Sequence, residues 1–344
     1  MKKTYGWIIL FLTFSLILGC ASDQSLTPGT YSFGVTFTHN LREESEIRFY
    51  SEEGSLVKKI SINHGGLKEG KVYQNKLYIP VTGVPKAIDH KVLEVDLETF
   101  HIRYLDTDVL PVSLAVDDQY VYVLHNSKLK TGSLTKINIK ENRIEKKIEL
   151  EGQFGWGRIY VDKDDVFVAV DQVFEKRQII YKLNKNLELK GQIINKQYSA
   201  PTDMRVIDGT LYLITRSKRD PLEWRITGPA NQLIEVKLNQ FDKLIMESLN
   251  TPSPHRIFES DDQILITHDR IPTGSKITMI DKKTREQKTV TVTDQLPVCT
   301  VKDNKLYGIS DFQFSLYEMD DFKKIKTYDL NPKKEYQVVD LFVK

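Results

Sequence analysis

Residues 110–150, LPVSLAVDDQYVYVLHNSKLKTGSLTKINIKENRIEKKIEL, contain four runs long enough to be β-strands. The runs are VSLAV, YVYVL, LTKINI and RIEKKIEL, and the segments between them are DDQ, HNSKLKTG and KEN. Each run alternates apolar and polar residues or is rich in β-branched and aromatic ones, as strands are. The stretch therefore predicts a unit of four consecutive strands.

The same unit recurs before and after this stretch. With Val121 of YVYVL as the reference position, the equivalent residues in the other units are Phe33, Leu77, Val166, Leu211, Ile264 and Leu306. The intervals between successive reference positions are 44, 44, 45, 45, 53 and 42 residues. A period in the forties with four strands per repeat is typical of β-propeller blades. Seven reference positions predict an all-β, seven-bladed β-propeller over residues 31–344.

The two ends of the repeat array predict how the ring closes. The first blade begins at Tyr31 with its second strand, FGVTF, because no inner strand precedes it. The segment YQVVDLFV, residues 336–343, has inner-strand character and follows the last complete blade. We therefore expect the C-terminal strand to close the ring. A chain that enters at a second strand enters on the face opposite the connections between second and third strands.

VYVLHNSK followed by LTKINIKENRIEKKIEL resembles the YVTN-type repeats of seven-bladed bacterial propellers, and the resemblance covers nearly all of residues 31–344. The Gly-His and Trp-Asp pairs of WD40 blades and the Asp boxes of sialidases do not occur in the sequence. The resemblance implies the fold, but propellers carry many binding and catalytic functions.

The N-terminus predicts a lipoprotein signal. Lys2 and Lys3 precede an apolar run of about a dozen residues, 7–18, which is short for a membrane span. The run ends in ILGC, which resembles a bacterial lipobox and implies a diacylglycerol thioether on Cys20. We expect residues 1–19 to be a signal peptide and residues 20–30 a tether. The alternative is an uncleaved helical anchor with an incidental cysteine.

Either interpretation predicts an extracytoplasmic protein held on the cell membrane, with the loop-bearing face turned away from the bilayer. Removing residues 1–19 takes away two of 49 basic residues and none of 47 acidic ones, which leaves 47 of each. This balance gives no indication of nucleic-acid binding. We expect a monomer that binds a protein or glycan ligand through the outward loops and that needs no cofactor.

The longest predicted loop, TRSKRDPLEWRITGPAN in blade 5, accounts for the interval of 53 residues. Long loops in compact domains are usually functional, and Arg and Trp are the residue types enriched in binding hot spots. The loop is therefore the first candidate recognition element, and its candidate contact residues are Arg216, Lys218, Arg219, Trp224 and Arg225. The alternative is a solvated loop whose Trp covers the top of the propeller.

The second candidate site is the mouth of the central channel, at the starts of the inner strands. Counting eight residues back from the reference positions gives Glu69, Ser113, Arg158, Asp203, Arg256 and Val298. Trp156 adds an aromatic wall beside Arg158. This mixed ring predicts either a pocket for a small polar or anionic ligand or mutual pairing of acids and arginines. Seven-bladed lactonases and lyases place acids or His in this region with a divalent ion, so such an enzyme is the alternative function.

The histidines do not predict a metal site. His125 and His268 are both four residues beyond their reference positions, but they lie three blades apart, and the sequence has no HxH or HxxxH spacing. Cys299, in LPVCTV, is expected to be a small buried side chain of an inner strand rather than a reactive thiol.

Overall fold

The computed structural model describes residues 31–126, 131–172, 174–196, 199–219, 226–269 and 274–344, with the backbone alone for 216–219 and 226–230. These residues form seven antiparallel sheets of four strands each. One 3₁₀ turn, Leu238–Gln240, is the only helical element among them. The fold predicted from the repeats, an all-β propeller with seven blades, is confirmed.

Blades are numbered by their position in the chain. Blades 1 to 4 comprise β1 (Phe33–Thr38), β2 (Ser45–Tyr50), β3 (Leu56–Ile62); β4 (Lys71–Tyr73), β5 (Lys76–Val84), β6 (Ala87–Asp96), β7 (Ile102–Asp106); β8 (Pro111–Val116), β9 (Tyr120–His125), β10 (Gly132–Asn138), β11 (Arg143–Leu150); and β12 (Phe154–Val161), β13 (Asp165–Gln172), β14 (Arg177–Asn184), β15 (Leu189–Asn195). Blades 5 to 7 comprise β16 (Pro201–Ile207), β17 (Thr210–Arg219), β18 (Ile226–Lys237), β19 (Ile245–Ser248); β20 (Pro254–Glu259), β21 (Gln263–His268), β22 (Ser275–Asp281), β23 (Gln287–Val292); and β24 (Val298–Lys302), β25 (Lys305–Ser310), β26 (Gln313–Glu318), β27 (Lys324–Asp329). The remaining strand, β28 (Gln337–Val343), joins blade 1.

The core lies between the blades. Each hydrophobic cluster of the described residues spans two consecutive blades, and together the clusters complete the circle. In β9, Val121 and Val123 pack toward blade 2, whereas Tyr122 and Leu124 pack toward blade 4. Because successive side chains of a strand point to opposite faces, a strand that packs against a neighbouring blade on each side must be apolar on both faces. This requirement explains the continuous apolar runs, and the seven reference positions are all at most 2% exposed.

The C-terminal strand closes the ring, as predicted. β28 is the inner strand of blade 1 and pairs with β1, from Val343 opposite Phe33 to Gln337 opposite Thr38. The two strands approach closely at Gly34, where an added Cβ would lie 2.1 Å from the ring of Phe342. A glycine at this position makes room for the closing aromatic side chain.

The connections between second and third strands lie on one face, which we call the loop face. The described chain begins at Tyr31 on the opposite face, where the backbone N–H of Lys344 donates to the carbonyl of Ser32 at 3.0 Å. The predicted signal peptide, Cys20 and tether lie outside the described residues. No helix in the part of the chain that the structure describes is long and apolar enough to span a bilayer.

Candidate binding site at the channel mouth

Bulges at the starts of the inner strands position the side chains that face the channel. Pairing shifts by one residue between Pro111 and Ser113 in β8, and equivalent shifts precede Asp203 in β16 and Arg256 in β20. A bulge re-aims the side chains that follow it and is common beside functional sites. In each blade, one inner-strand residue therefore faces the channel. It is the residue that pairs with the second-strand residue three positions after the reference position.

The structure brings Glu69, Arg158, Asp203 and Arg256 together, as the residue count predicts. They surround the channel with Asp340 of β28, which is opposite Thr36 in the register of blade 1. Sequence reasoning missed Asp340 because blade 1 takes its inner strand from the other end of the chain. The signal was present, since VVDLFV at 338–343 aligns with PVSLAV at 111–116 and places Asp340 at the position of Ser113.

Glu69 is the centre of a charged group that we call the belt, in which Glu69 is ion-paired with Lys71 and Arg256, and Asp340 is the neighbouring acid. The Oε1 of Glu69 pairs with Arg256 Nη1 and with Lys71 Nζ, the latter at 3.1 Å. Burial alone would raise the pKa of Glu69, but the three cations Arg256, Lys71 and Arg158 outweigh it and hold the pKa well below its ordinary range. The predicted alternative, pairing of channel acids with arginines, is therefore realised at Glu69.

Asp340 has the opposite electrostatics. Its Oδ2 accepts the backbone N–H of Gly70 at 3.0 Å and its Oδ1 that of Leu341 at 3.0 Å. Burial, with the nearby Glu69 charge, raises its pKa to about 7, although Arg256 acts against the shift. Glu69 and Asp340 both lie near Arg256, yet the pKa of Glu69 is lowered and that of Asp340 is raised.

The carboxylate of Asp203 accepts hydrogen bonds from the backbone. Its Oδ2 accepts the N–H of Ile257 in the next blade at 2.8 Å, and its Oδ1 accepts the N–H of Met204 at 2.9 Å. Arg158 is held similarly, because its Nε donates to the carbonyl of Thr202 and its Nη1 to that of Gly157 at 3.2 Å. These contacts link blades 4, 5 and 6 around the channel.

A pocket of about 460 Å³, which we call the mouth pocket, opens on the loop face between blades 2, 3 and 4. This volume lies in the range of small-molecule sites. Its charged lining residues are Lys68, Glu69, Lys71, Arg158 and Asp203, its apolar wall is Leu110, Val112, Leu114, Trp156 and Ile159, and its neutral polar groups include Thr82, Ser113, Asn126 and Gln153. The pocket thus combines an apolar wall with a few convergent charges.

Trp156 is presented to the pocket by a bulge in β12. Pairing with β13 is interrupted between Phe154 and Gly157, and the buried carboxylate of Asp171 accepts the backbone N–H groups of Gly155, at 2.9 Å, and of Trp156. The side chain of Trp156 is 44% exposed. The fold therefore fixes this Trp backbone while leaving much of the ring accessible.

Lys68 differs from the other cations of the channel. It lines the mouth pocket, yet among the described residues neither a carboxylate nor another acceptor contacts its Nζ. Burial lowers the pKa of Lys68, and no neighbouring acid offsets the shift. The sequence does not distinguish Lys68 from the other channel cations, because its role depends on which of those cations pair with Glu69.

The far end of the channel has a different character. Two smaller cavities, of about 250 and 310 Å³, open there and are lined by the ends of the inner strands. Lys71 and Asp203 line the cavities at both ends. The charged groups therefore form a partition between the mouth pocket and the far end.

The predicted blade 5 loop is largely a β-hairpin, which corrects the prediction of a long loop over residues 215–231. β17 continues to Arg219 and β18 begins at Ile226, with Arg219 opposite Ile226 in the register. Continued backbone pairing past the edge of the blade explains the correction. The backbones of Arg216, Lys218 and Arg219 lie in this hairpin on the loop face, whereas Trp224 and Arg225 lie outside the described residues.

The two equivalently placed histidines contact a threonine of the next strand in their own blade and the connection from the preceding blade. Nε2 of His125 lies 2.8 Å from Thr135 Oγ1, and Nε2 of His268 lies 2.8 Å from Thr278 Oγ1. Each Nδ1 faces a backbone carbonyl, that of Val109 at 3.2 Å or that of Pro252 at 2.9 Å. Burial lowers the pKa of both rings to about 4. The described residues contain no group of three or more His, Cys, Asp or Glu side chains suited to a metal.

Cys299 occupies the predicted position in the inner strand of blade 7. It is 5% exposed, and its Sγ contacts Thr267 Oγ1 at 3.7 Å. Burial raises the pKa of the thiol to about 11. The prediction of a buried, unreactive thiol is consistent with this environment.

Neither protein-family models nor curated protein sequences give a match to the chain. Among solved structures, similarity extends to the computationally designed Ika8 protein, with a TM-score of 0.61 and 8% identity over 93% of this chain and 92% of that one. The CNH domain of AfRom2 matches with a TM-score of 0.54 and 8% identity over 76% and 84% of the two chains. BamB from Moraxella catarrhalis matches with a TM-score of 0.52 and 12% identity over 85% and 87%. At these identities the similarities show the fold: the chain is a seven-bladed β-propeller.

Proposed function

We propose that the protein is a lipoprotein, anchored by Cys20 on the extracytoplasmic side of the cell membrane, whose propeller binds a protein or cell-envelope ligand through its loop face. The main support for the proposal is the mouth pocket, where an exposed Trp lies beside the partly buried cations Lys68 and Arg158. Trp and Arg are the residue types that dominate binding hot spots. The hairpin of blade 5 projects on the same face and supplies a second surface for a large partner.

The chain path supports the orientation. Tyr31 lies on the face opposite the mouth pocket. The ten residues 21–30 between Cys20 and Tyr31 can extend to at most about 35 Å. A lipid on Cys20 therefore holds the far face near the bilayer and leaves the loop face turned toward the ligand.

Site-specific photo-crosslinking in native membranes tests the binding face. A photoreactive amino acid at position 156, and another at Ile88 in the hairpin of blade 2, should trap one specific adduct. The matched controls place the same group at Leu189 and Ile245, which are at least as exposed but lie on outer strands. Equal adducts from all four positions, or none from the loop face, would contradict the proposal.

A double substitution separates the pocket from the hairpin. Trp224→Ala with Arg225→Ala, at two residues that the sequence predicts to lie in an exposed loop, should leave the melting temperature within about 2 °C, since such changes are usually energetically small. If the hairpin takes part, this variant should lose the adduct formed at position 156. An unchanged adduct would restrict the interface to the mouth pocket.

Lipidation is tested separately. Cys20→Ala should abolish incorporation of a labelled fatty acid and release the protein from the membrane, because stable anchoring needs about two acyl chains. A variant that is still labelled would contradict the anchor. The alternative function, a lactonase or lyase, gains no specific support, because Glu69 is paired with Arg256 and Asp203 with backbone N–H groups.

A further inference from the structure

The mouth pocket carries its own charge pattern. Three cations, Lys68, Lys71 and Arg158, and two acids, Glu69 and Asp203, line it. Lys71 is paired with Glu69 at 3.1 Å, and each oxygen of Asp203 accepts one backbone N–H group. Among the lining groups alone, one positive charge is in excess, and it suits a monoanion better than a dianionic phosphate, which two lining carboxylates would repel.

The excess charge can be assigned to one side chain. Arg158 donates to two backbone carbonyls, and its Nη2 lies 4.0 Å from Glu69 Oε2. Lys68 alone among the lining cations has no such acceptor within the described ranges, and burial lowers its pKa. Desolvating an ammonium without a partner is costly, so an anion bound at Lys68 would recover that cost.

The rest of the pocket specifies the body of the ligand. Leu110, Val112, Leu114 and Ile159 form an apolar wall, and Trp156 is held at its edge by Asp171. Aromatic rings favour stacked or edge-to-face contact with other rings. A fully polar ligand would make no apolar contact with this wall.

We propose that the mouth pocket binds a small organic carboxylate with an aromatic or branched aliphatic body, its carboxylate at Lys68 and its body between Trp156 and the apolar wall. This inference deepens the proposed function by naming the ligand class of one part of the loop face. Lys68 is the specificity-determining residue for the charge, and Trp156 for the apolar body.

The test uses ¹⁹F NMR with the full chain in detergent and two probes of the same size. One probe is 4-fluorophenylacetate and the other is the neutral 2-(4-fluorophenyl)ethanol. The acid should bind with a Kd on the order of 1 mM, as expected for a fragment of this size. The alcohol should bind at least tenfold more weakly.

Three variants in the same detergent separate the contributions. Lys68→Met should weaken the acid at least tenfold and remove the preference for acid over alcohol. Lys86→Met, an exposed lysine at the tip of the blade 2 hairpin on the same face, makes the same change in net charge and should leave both Kd values unchanged. Trp156→Ala should weaken both probes.

The inference is overturned if the acid does not bind above the detergent background, if Lys68→Met retains the wild-type Kd for the acid, or if the alcohol binds as tightly. These outcomes are distinguishable from failure of the proposed function. A specific crosslinked partner without acid binding would remove the carboxylate assignment alone. Acid binding without a crosslinked partner would retain the pocket and remove the protein ligand.

Discussion

The belt and the mouth pocket are adjacent and contain residues from equivalent positions of the blades. Their charged side chains differ in whether they are paired. In the belt, Glu69 contacts Arg256 and Lys71, and Asp340 accepts two backbone N–H groups. In the mouth pocket, Lys68 has no such contact among the described residues. The ion-paired charge of Glu69 stabilises the fold, whereas a charge left unsatisfied is available to a ligand. The difference predicts opposite consequences of mutation in the two regions.

The largest expected effect comes from removing the strand that brings Asp340 into the belt. Deletion of residues 336–344 removes the apolar side chains of β28, whose burial contributes a gross stabilisation on the order of 10 kcal/mol, comparable with typical domain stability. The truncated protein should show no cooperative thermal unfolding by circular dichroism. A cooperative transition near the wild-type temperature would contradict the closure of blade 1 by β28.

Glu69→Gln should destabilise the protein strongly because it leaves Arg256 without its anion. Breaking a buried ion pair by removing one partner costs about 3 kcal/mol or more. For a chain of this size the melting temperature should fall by at least ~5 °C. Glu149→Gln makes the same chemical change on the exposed surface of β11 and should be neutral. Equal melting temperatures for both variants would show that the belt is not structural.

Asp340→Asn should change the pH dependence of stability. Folded Asp340 keeps its proton up to a pKa of about 7, whereas the unfolded chain loses it near the ordinary value of 3.8. Its contribution to stability is therefore fully present below about pH 4 and is lost as the pH rises through 7. The asparagine variant lacks this loss, so its melting temperature relative to wild type should rise from pH 5 to about pH 7 and level off toward pH 8.

Taking the difference in melting temperature between Asp340→Asn and wild type also removes the contributions of other titrating groups. Glu69 is ionised throughout this range, because its pKa lies well below the ordinary value. His125 and His268 titrate identically in both proteins, so they cancel in the difference. A difference in melting temperature that is constant from pH 5 to pH 8 would contradict the raised pKa of Asp340.

The sequence predicts the fold well because its physical cause is local and repeated. Each blade needs two apolar faces on its central strands, and this requirement recurs at every reference position from Phe33 to Leu306. The ring residues Glu69, Arg158, Asp203 and Arg256 follow from the same repeat, since one inner-strand position per blade faces the channel. Asp340 escaped the count only because the ring is closed by a distant segment.

The roles within the site do not follow from the repeat. Whether Lys68 is paired depends on where Glu69 directs its two oxygens, and that depends on side chains from blades 2, 4 and 6. The blade 5 segment is predicted as a loop because it accounts for the long interval of 53 residues between reference positions. Backbone pairing nevertheless continues through Gly228 and Pro229, with a register shift between Lys218 and Arg219.

The most direct test of the contrast between the belt and the mouth pocket is the thermal unfolding of Lys68→Met without added ligand. Met keeps the length and apolar stem of the side chain and removes a half-buried charge that no anion of the described residues pairs with. We expect a melting temperature equal to or above that of the wild-type protein, in contrast to the fall expected for Glu69→Gln. A fall as large as that of Glu69→Gln would show that Lys68 belongs to the structural charges and would contradict the account.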